Sequence, residues 1–268
     1  MTGNVSVERS YVDGGYGQMH VRVARPEKPT KRPLMCFHLS PISGIVYETW
    51  LREIGRDRIA IAPDTPGYGM SDAPDKPPEI ADFARAHGDV MNAFDFKEVD
   101  LMGYHTGSKI SVELARQHPD RIKHLVLISA PVYTEEELAK QYKDMGNVTA
   151  PQEDGSHLIK MWKAIWKWCG PGQTPADLMR QFPDIVQGGE KKPWGHRAAF
   201  SYTYPETIGD VDAPILVLNT NDDLVVPTRR IKPYLKNGKV LELPQWGHGF
   251  LDYHTKAAAE IVRNFLDN

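Results

Sequence analysis

The chain has 268 residues, 41% of them hydrophobic, enough for one large domain with a buried core or a domain carrying an insertion. Its 35 acidic and 32 basic side chains leave a net charge of -3, which removes any electrostatic case for nucleic acid or an anionic membrane as partner. Cys36 and Cys169 lie far apart, so a disulfide is not expected, and a reducing cytoplasm is the expected setting. Met1 to Glu8 lack the charged-then-apolar form of a signal peptide. No run approaches the ~18 apolar residues of a membrane span.

In chain order, Val5 to Val12 and Gln18 to Val23 alternate around Asp13-Gly14-Gly15-Tyr16-Gly17, which predicts an antiparallel hairpin with a slightly long turn. Leu34 to Phe37 is a short apolar strand that ends at His38-Leu39-Ser40-Pro41. A helix is expected over Val46 to Glu53, then a buried strand over Arg58 to Ala62. That strand runs into the turn-rich segment Pro63 to Asp72, where a binding wall can be built. Ile80 to Phe94 has helical periodicity, Val99 to Met102 reads as a strand, Ser108 to Gln117 as a helix and Ile122 to Ile128 as another buried strand. Strands alternating with helices predict a mostly parallel sheet covered on both faces.

The rhythm then breaks. From Thr134 to about Asp210 no strong strand is visible, and Glu135 to Lys143, Ser156 to Cys169 and the start of Pro175 to Gln181 look helical. The stretch is rich in aromatics, among them Trp162 and Trp166. Alternation resumes with a strand over Pro214 to Leu218, a helix near Thr228 to Leu235, a strand over Val240 to Leu243 and a final helix over His254 to Leu266. The expected division is therefore a core of residues 1–134 and 211–268, interrupted by a helical cap, 135–210, that acts as a lid over a mostly apolar pocket. Packing helices with a private core is the alternative for that insertion.

The chemistry concentrates between Asp100 and Ser108, which read D-L-M-G-Y-H-T-G-S. A strand, a glycine-bracketed turn and a helix are the context of the nucleophile elbow, G-x-S-x-G. Its apex residue is pushed out to meet substrate, and here that residue is His105 where the pattern has serine.

These residues resemble the α/β-hydrolase family over nearly the whole chain. His38-Leu39-Ser40-Pro41 is similar to its His-Gly-x-Pro oxyanion loop, and Asp64 to Ser71 matches its D-x-P-G-x-G-x-S segment. Gly103 to Gly107 matches the elbow except at the centre. The tail supplies Asn221-Asp222-Asp223-Leu224-Val225-Val226-Pro227 and Trp246-Gly247-His248-Gly249. The resemblance implies an α/β-hydrolase fold with an N-terminal antiparallel hairpin and flanking helices. It implies Asp223 as the acid, four residues before a proline, with Asp222 as the alternative, and His248 as the base. Backbone N–H groups of Ser40 and Thr106 would form the oxyanion hole. Leu39, Tyr104, Trp162 and Trp166 are the expected substrate-binding residues, and His38 has a structural hydrogen-bonding role. Leu39 departs from the family glycine and bears on how closely a carbonyl oxygen approaches.

An imidazole at the apex admits several readings. His105 can be a nucleophile forming an acyl-imidazole, because a ring with a pKa near ~6.5 needs little activation. It can work with His248 as an acid–base pair for water attack or C–C/C–X cleavage. It can join His248 and Asp223 around a metal, although the family geometry puts Asp223 behind His248 and not beside His105. Or the fold is catalytically retired and binds a small molecule or partner. The expectation is a cofactor-free hydrolase or lyase acting on a small, partly apolar carbonyl compound through His105, His248 and Asp223, with no metal. Oligomeric state is left open. Ser108 is expected to pack along its helix, and His20, His87, His118, His157 and His196 show no partner pattern.

Overall fold

The computed structural model describes residues 5–145 and 150–268. Residues 1–4, part of the N-terminal reading above, and 146–149, part of the expected insertion, lie outside the described residues. The first two strands are β1 (Val7–Gly14) and β2 (Gly17–Ala24), paired antiparallel with Gly14 opposite Gly17. The turn is thus two residues, Gly15-Tyr16, and tighter than the five-residue separation expected. Asp13 and Gly17 belong to the strands.

Next come β3 (Leu34–Phe37), α1 (Glu48–Ile54), β4 (Ala60–Pro63), α2 (Ile80–Ala93), β5 (Val99–Tyr104), α3 (Thr106–Gln117) and β6 (Ile122–Ile128). The insertion holds α4 (Glu135–Met145), α5 (Ser156–Trp166), α6 (Pro175–Gln187), α7 (Trp194–Ser201) and α8 (Tyr204–Thr207). The chain then returns through β7 (Ile215–Thr220), α9 (Val225–Arg229), β8 (Gly238–Leu243), α10 (Phe250–Tyr253) and α11 (Thr255–Leu266). The helix expected near Thr228 to Leu235 is instead the short α9 and a 3₁₀ turn at Lys232–Tyr234. Pro233 removes a backbone donor there and breaks a continuous helix.

The strands form one 8-stranded sheet in the order β1-β2-β4-β3-β5-β6-β7-β8. From β4 to β8 every neighbouring pair is parallel. Period-two alternation divides each apolar strand between two cores. Met35, Phe37, Leu101, Leu125 and Leu127 face one side with Phe83, Val90, Ile110 and Leu114 of α2 and α3. Leu34, Cys36, Met102, Val126 and Ile128 face the other with Trp50, Leu51, Ala258 and Val262 of α1 and α11. That double burial is why these strands read as unbroken apolar runs. The C-terminal ends of β3, β5, β6 and β7 meet along one edge, the usual place for a ligand in a parallel sheet.

Within the insertion, α6 begins with Thr174 as N-cap and Asp177 closing a capping box, followed by Pro175. Ala198, Ala199, Tyr204 and Ile208 dock on the core beside α2 and α3. Among the described residues no helix is long and apolar enough to cross a membrane.

Candidate active site

At the end of β5 the chain turns through His105, whose φ of 48° and ψ of -109° are unusual for a side-chain-bearing residue. Two glycines make the turn possible. A Cβ on Gly107 would strike the Phe37 backbone carbonyl, and one on Gly103 would strike the Gly107 carbonyl. The turn is tied down by His105 N donating to Ile128 O at 3.0 Å and Ser108 N donating to His105 O at 3.0 Å. Ser108 is fully buried, its hydroxyl on His105 O and Tyr204 OH, so its role is packing and capping.

His105 faces Asp222. Its Nε2 lies 3.1 Å from Asp222 Oδ2. The same oxygen accepts from Ser129 Oγ at 2.6 Å and Thr220 Oγ1 at 2.9 Å, while Oδ1 accepts from Leu224 N at 2.8 Å. Ser129, at the end of β6, takes a φ of 51° that carries its hydroxyl there. An ionised carboxylate only accepts, so the Nε2 beside it carries the proton and Nδ1 of neutral His105 keeps its lone pair. Burial opposes the imidazolium, but the charge and hydrogen bond of Asp222 outweigh it and hold the His105 pKa above its usual value. The Asp222 side chain is itself fully buried, which disfavours its charge. His105 and the hydroxyl donors override that and hold its carboxyl far below the usual range.

His248 makes a second dyad. Its Nε2 lies 3.0 Å from Asp223 Oδ1, and its Nδ1 is 3.2 Å from the Tyr104 hydroxyl. The two imidazoles stand edge to face with centroids 5.4 Å apart, each committed to its own carboxylate. Asp223, the acid that the resemblance implies, thus stands on His248, and Asp222, the alternative, stands on His105. Among the described residues the two rings make no direct hydrogen bond with each other. His105, Asp222, Asp223 and His248 offer donor atoms all within 4.8 Å of one another. That is a set able to accept a cation; Asp222 Oδ2 already takes three protein donors and its Oδ1 takes one.

Leu39 and Ser40 line the larger of two cavities at the sheet edge, about 240 Å³, together with His105, Asp223 and His248. Thr106 lines the smaller, about 100 Å³, with His105, Lys109 and Tyr133. Behind them His38 is buried, Nδ1 on Leu39 O at 2.9 Å and Nε2 accepting from Thr65 N at 2.9 Å, which is structural hydrogen bonding. Asp64 fixes the neighbouring loop by accepting from Gly44 N, Met70 N and Arg22.

Tyr104 is buried beneath the two histidines and touches His248. Trp162 and Trp166 stack on each other, and Trp162 packs on Phe182. The cavity wall is instead Ile165 and Trp168. His196, which no pattern singled out, reaches both cavities, and burial pushes its pKa down to about 4. Lys109 and Ser129 also escaped the sequence reading. Both depend on contacts across elements, for which local spacing holds no signal.

The model of the alpha/beta hydrolase fold matches residues 42–255. The chain belongs to the α/β-hydrolase fold family. It is 25% identical over 248 residues to a poly(3-hydroxyalkanoate) depolymerase of Ectopseudomonas oleovorans, covering 90% of this chain and 87% of the relative. A 2-(acetamidomethylene)succinate hydrolase of Mesorhizobium japonicum is 24% identical, with 96% and 94% covered. The mouse serine hydrolase BPHL is 30% identical over 81% of this chain and 72% of the relative. In fold, the chain is similar to an enol-lactonase from Burkholderia xenovorans, with a TM-score of 0.81, 15% identity, and 97% and 100% of the two chains covered. The named relatives are hydrolases.

Proposed function

We propose that this chain hydrolyses a small carbonyl compound, an ester or lactone, with His105 as general base and no metal or organic cofactor. The observation that carries the reading is the Asp222–His105 dyad. Asp222 fixes the Nε2–H tautomer and leaves the Nδ1 lone pair of a strained, cavity-lining residue free to take a proton. His105 Nδ1 removes a proton from water as the water oxygen adds to the carbonyl carbon. The carbonyl electron pair becomes an oxyanion held by the N–H groups of Ser40 and Thr106. Thr106 opens α3, where backbone N–H groups have no partner within the helix. The adduct then collapses, and the His105 imidazolium returns its proton to the departing oxygen. In a β-diketone the same proton goes to the departing carbon, which gives hydrolytic C–C cleavage.

In this reading His248 is not the base for His105. Held by Asp223 and Tyr104, it supplies a polar wall and stabilises charge. Residues 135–210 act as the lid. The relatives' hydrolase activities favour this reading over a retired binding fold.

The test is a panel of aryl esters, lactones and β-diketones assayed with wild type, His105→Ser and His105→Ala. His105→Ala should lose about 10²–10⁴-fold in kcat/KM, the usual weight of general base catalysis. Turnover should survive chelators, because in this reading His105 Nδ1 and the backbone N–H groups carry the chemistry. Wild-type turnover in His105→Ala, or stoichiometric metal whose removal abolishes activity, would sink the proposal.

A further inference from the structure

Among the described residues three strongly buried Lys or Arg side chains stand out, and two are answered by acids. Arg58 pairs with Asp57 and Asp267, and Arg22 pairs with Asp64. Lys109 is different. It is 3% exposed, one helical turn beyond His105 on α3, and no carboxylate pairs with it among the described residues. Its Nζ donates to Ala199 O at 2.5 Å and Tyr202 O at 2.7 Å, at the C-terminal end of α7. The rings of Tyr133 and Tyr204 flank it, with centroids at 5.8 and 5.1 Å.

An ammonium has three N–H groups. Two go to those carbonyls, and the third has no acceptor among the described residues. A buried charge without a counter-ion is costly, and burial presses the Lys109 pKa down to about 7. Capping α7 accounts for two donors and leaves the charge unanswered.

Lys109 also lines the smaller cavity, the one it shares with His105 and Thr106. That cavity is about 100 Å³, which suits a carboxylate and a short methylene chain. One helical turn rises ~5.4 Å, so an anion at Lys109 lies a few bonds from a carbonyl at His105. Asp223 borders the same cavity but is hydrogen-bonded to His248.

We infer that Lys109 is an anion subsite and that the substrate is a short-chain acid derivative, with a free carboxylate seated between Lys109 and His105. This rests on the reading of His105 as the reacting group.

The experiment compares 4-nitrophenyl hydrogen glutarate with 4-nitrophenyl butyrate. Wild type should prefer the anionic ester by at least tenfold in kcat/KM, mostly through KM. In Lys109→Met that ratio should fall to about one. No preference in wild type overturns the inference. So does a Lys109→Met variant that slows both esters alike and keeps the ratio, since that is the signature of a lysine that only pins α7. If Lys109→Met does not fold, wild type decides through inhibition. Glutarate should inhibit at least tenfold more strongly than glutaramide, less so at high salt, and equal inhibition contradicts the subsite. Glutarate binding to His105→Ala separates the two claims. Loss of turnover with glutarate still bound supports both, whereas retained turnover sinks the His105 reading and leaves the subsite to stand on the binding data.

Discussion

Two Asp–His pairs sit side by side, and they are not equivalent. Asp222 has a fully buried side chain and four protein donors, and it holds the histidine at the strained turn. The Asp223 side chain is 35% exposed and meets a histidine that also leans on Tyr104. The same two residue types thus give a rigid dyad and an open one. The difference lies in what surrounds them. Ser129, Thr220 and Leu224 surround the first, and solvent and the cavity surround the second. Rigid, desolvated pairs are where pKa values move and tautomers are fixed, so the first dyad is the one to associate with proton transfer.

Breaking the rigid pair should cost the most. His105→Ala removes the base and should show the largest loss in kcat/KM, about 10³-fold on aryl esters by steady-state assay. Asp222→Asn should come next, with about 10²-fold lower kcat/KM and a loss of about 2–4 kcal/mol in urea unfolding, because the buried acceptor loses its charge and one of its two oxygens while Ser129, Thr220 and Leu224 still donate into it. Asp223→Asn tests the other side of the comparison. It should cost less than about tenfold in activity and below about 1 kcal/mol in stability, since its pair is partly screened by solvent. Tyr104→Phe should be the mildest, a severalfold change in kcat/KM, because it removes one hydroxyl from His248 Nδ1 and keeps the ring packing.

Much of this was legible in the sequence, unevenly. The parallel strands showed as apolar runs because both of their faces are buried. Met35 and Cys36, adjacent in β3, point to opposite cores. The turn at His105 showed because only glycine fits at positions 103 and 107. The division of labour between Asp222 and Asp223 did not show. The two are adjacent in sequence, and only the arrival of Ser129 from β6 and His105 from β5 tells them apart. The insertion was legible as helical but not in its facing. Trp162 and Trp166, four apart, share one face of α5 and stack on each other, so Ile165 and Trp168 meet the cavity. The helix α7 was missed because Pro193 precedes it without a side-chain cap and Gly195 weakens its pattern.

The most direct test of the Asp222–His105 dyad is the pH dependence of kcat/KM for one aryl ester in wild type, Asp222→Asn and Asp223→Asn. The base must be neutral to accept a proton, and Asp222 favours its charged form. Activity should therefore rise with pH through a midpoint above 6.5 in wild type. Removing the Asp222 charge destabilises the imidazolium, so in Asp222→Asn the midpoint should move to lower pH, with a much smaller shift in Asp223→Asn. A midpoint that stays fixed in Asp222→Asn, or that follows Asp223 instead, would contradict the account.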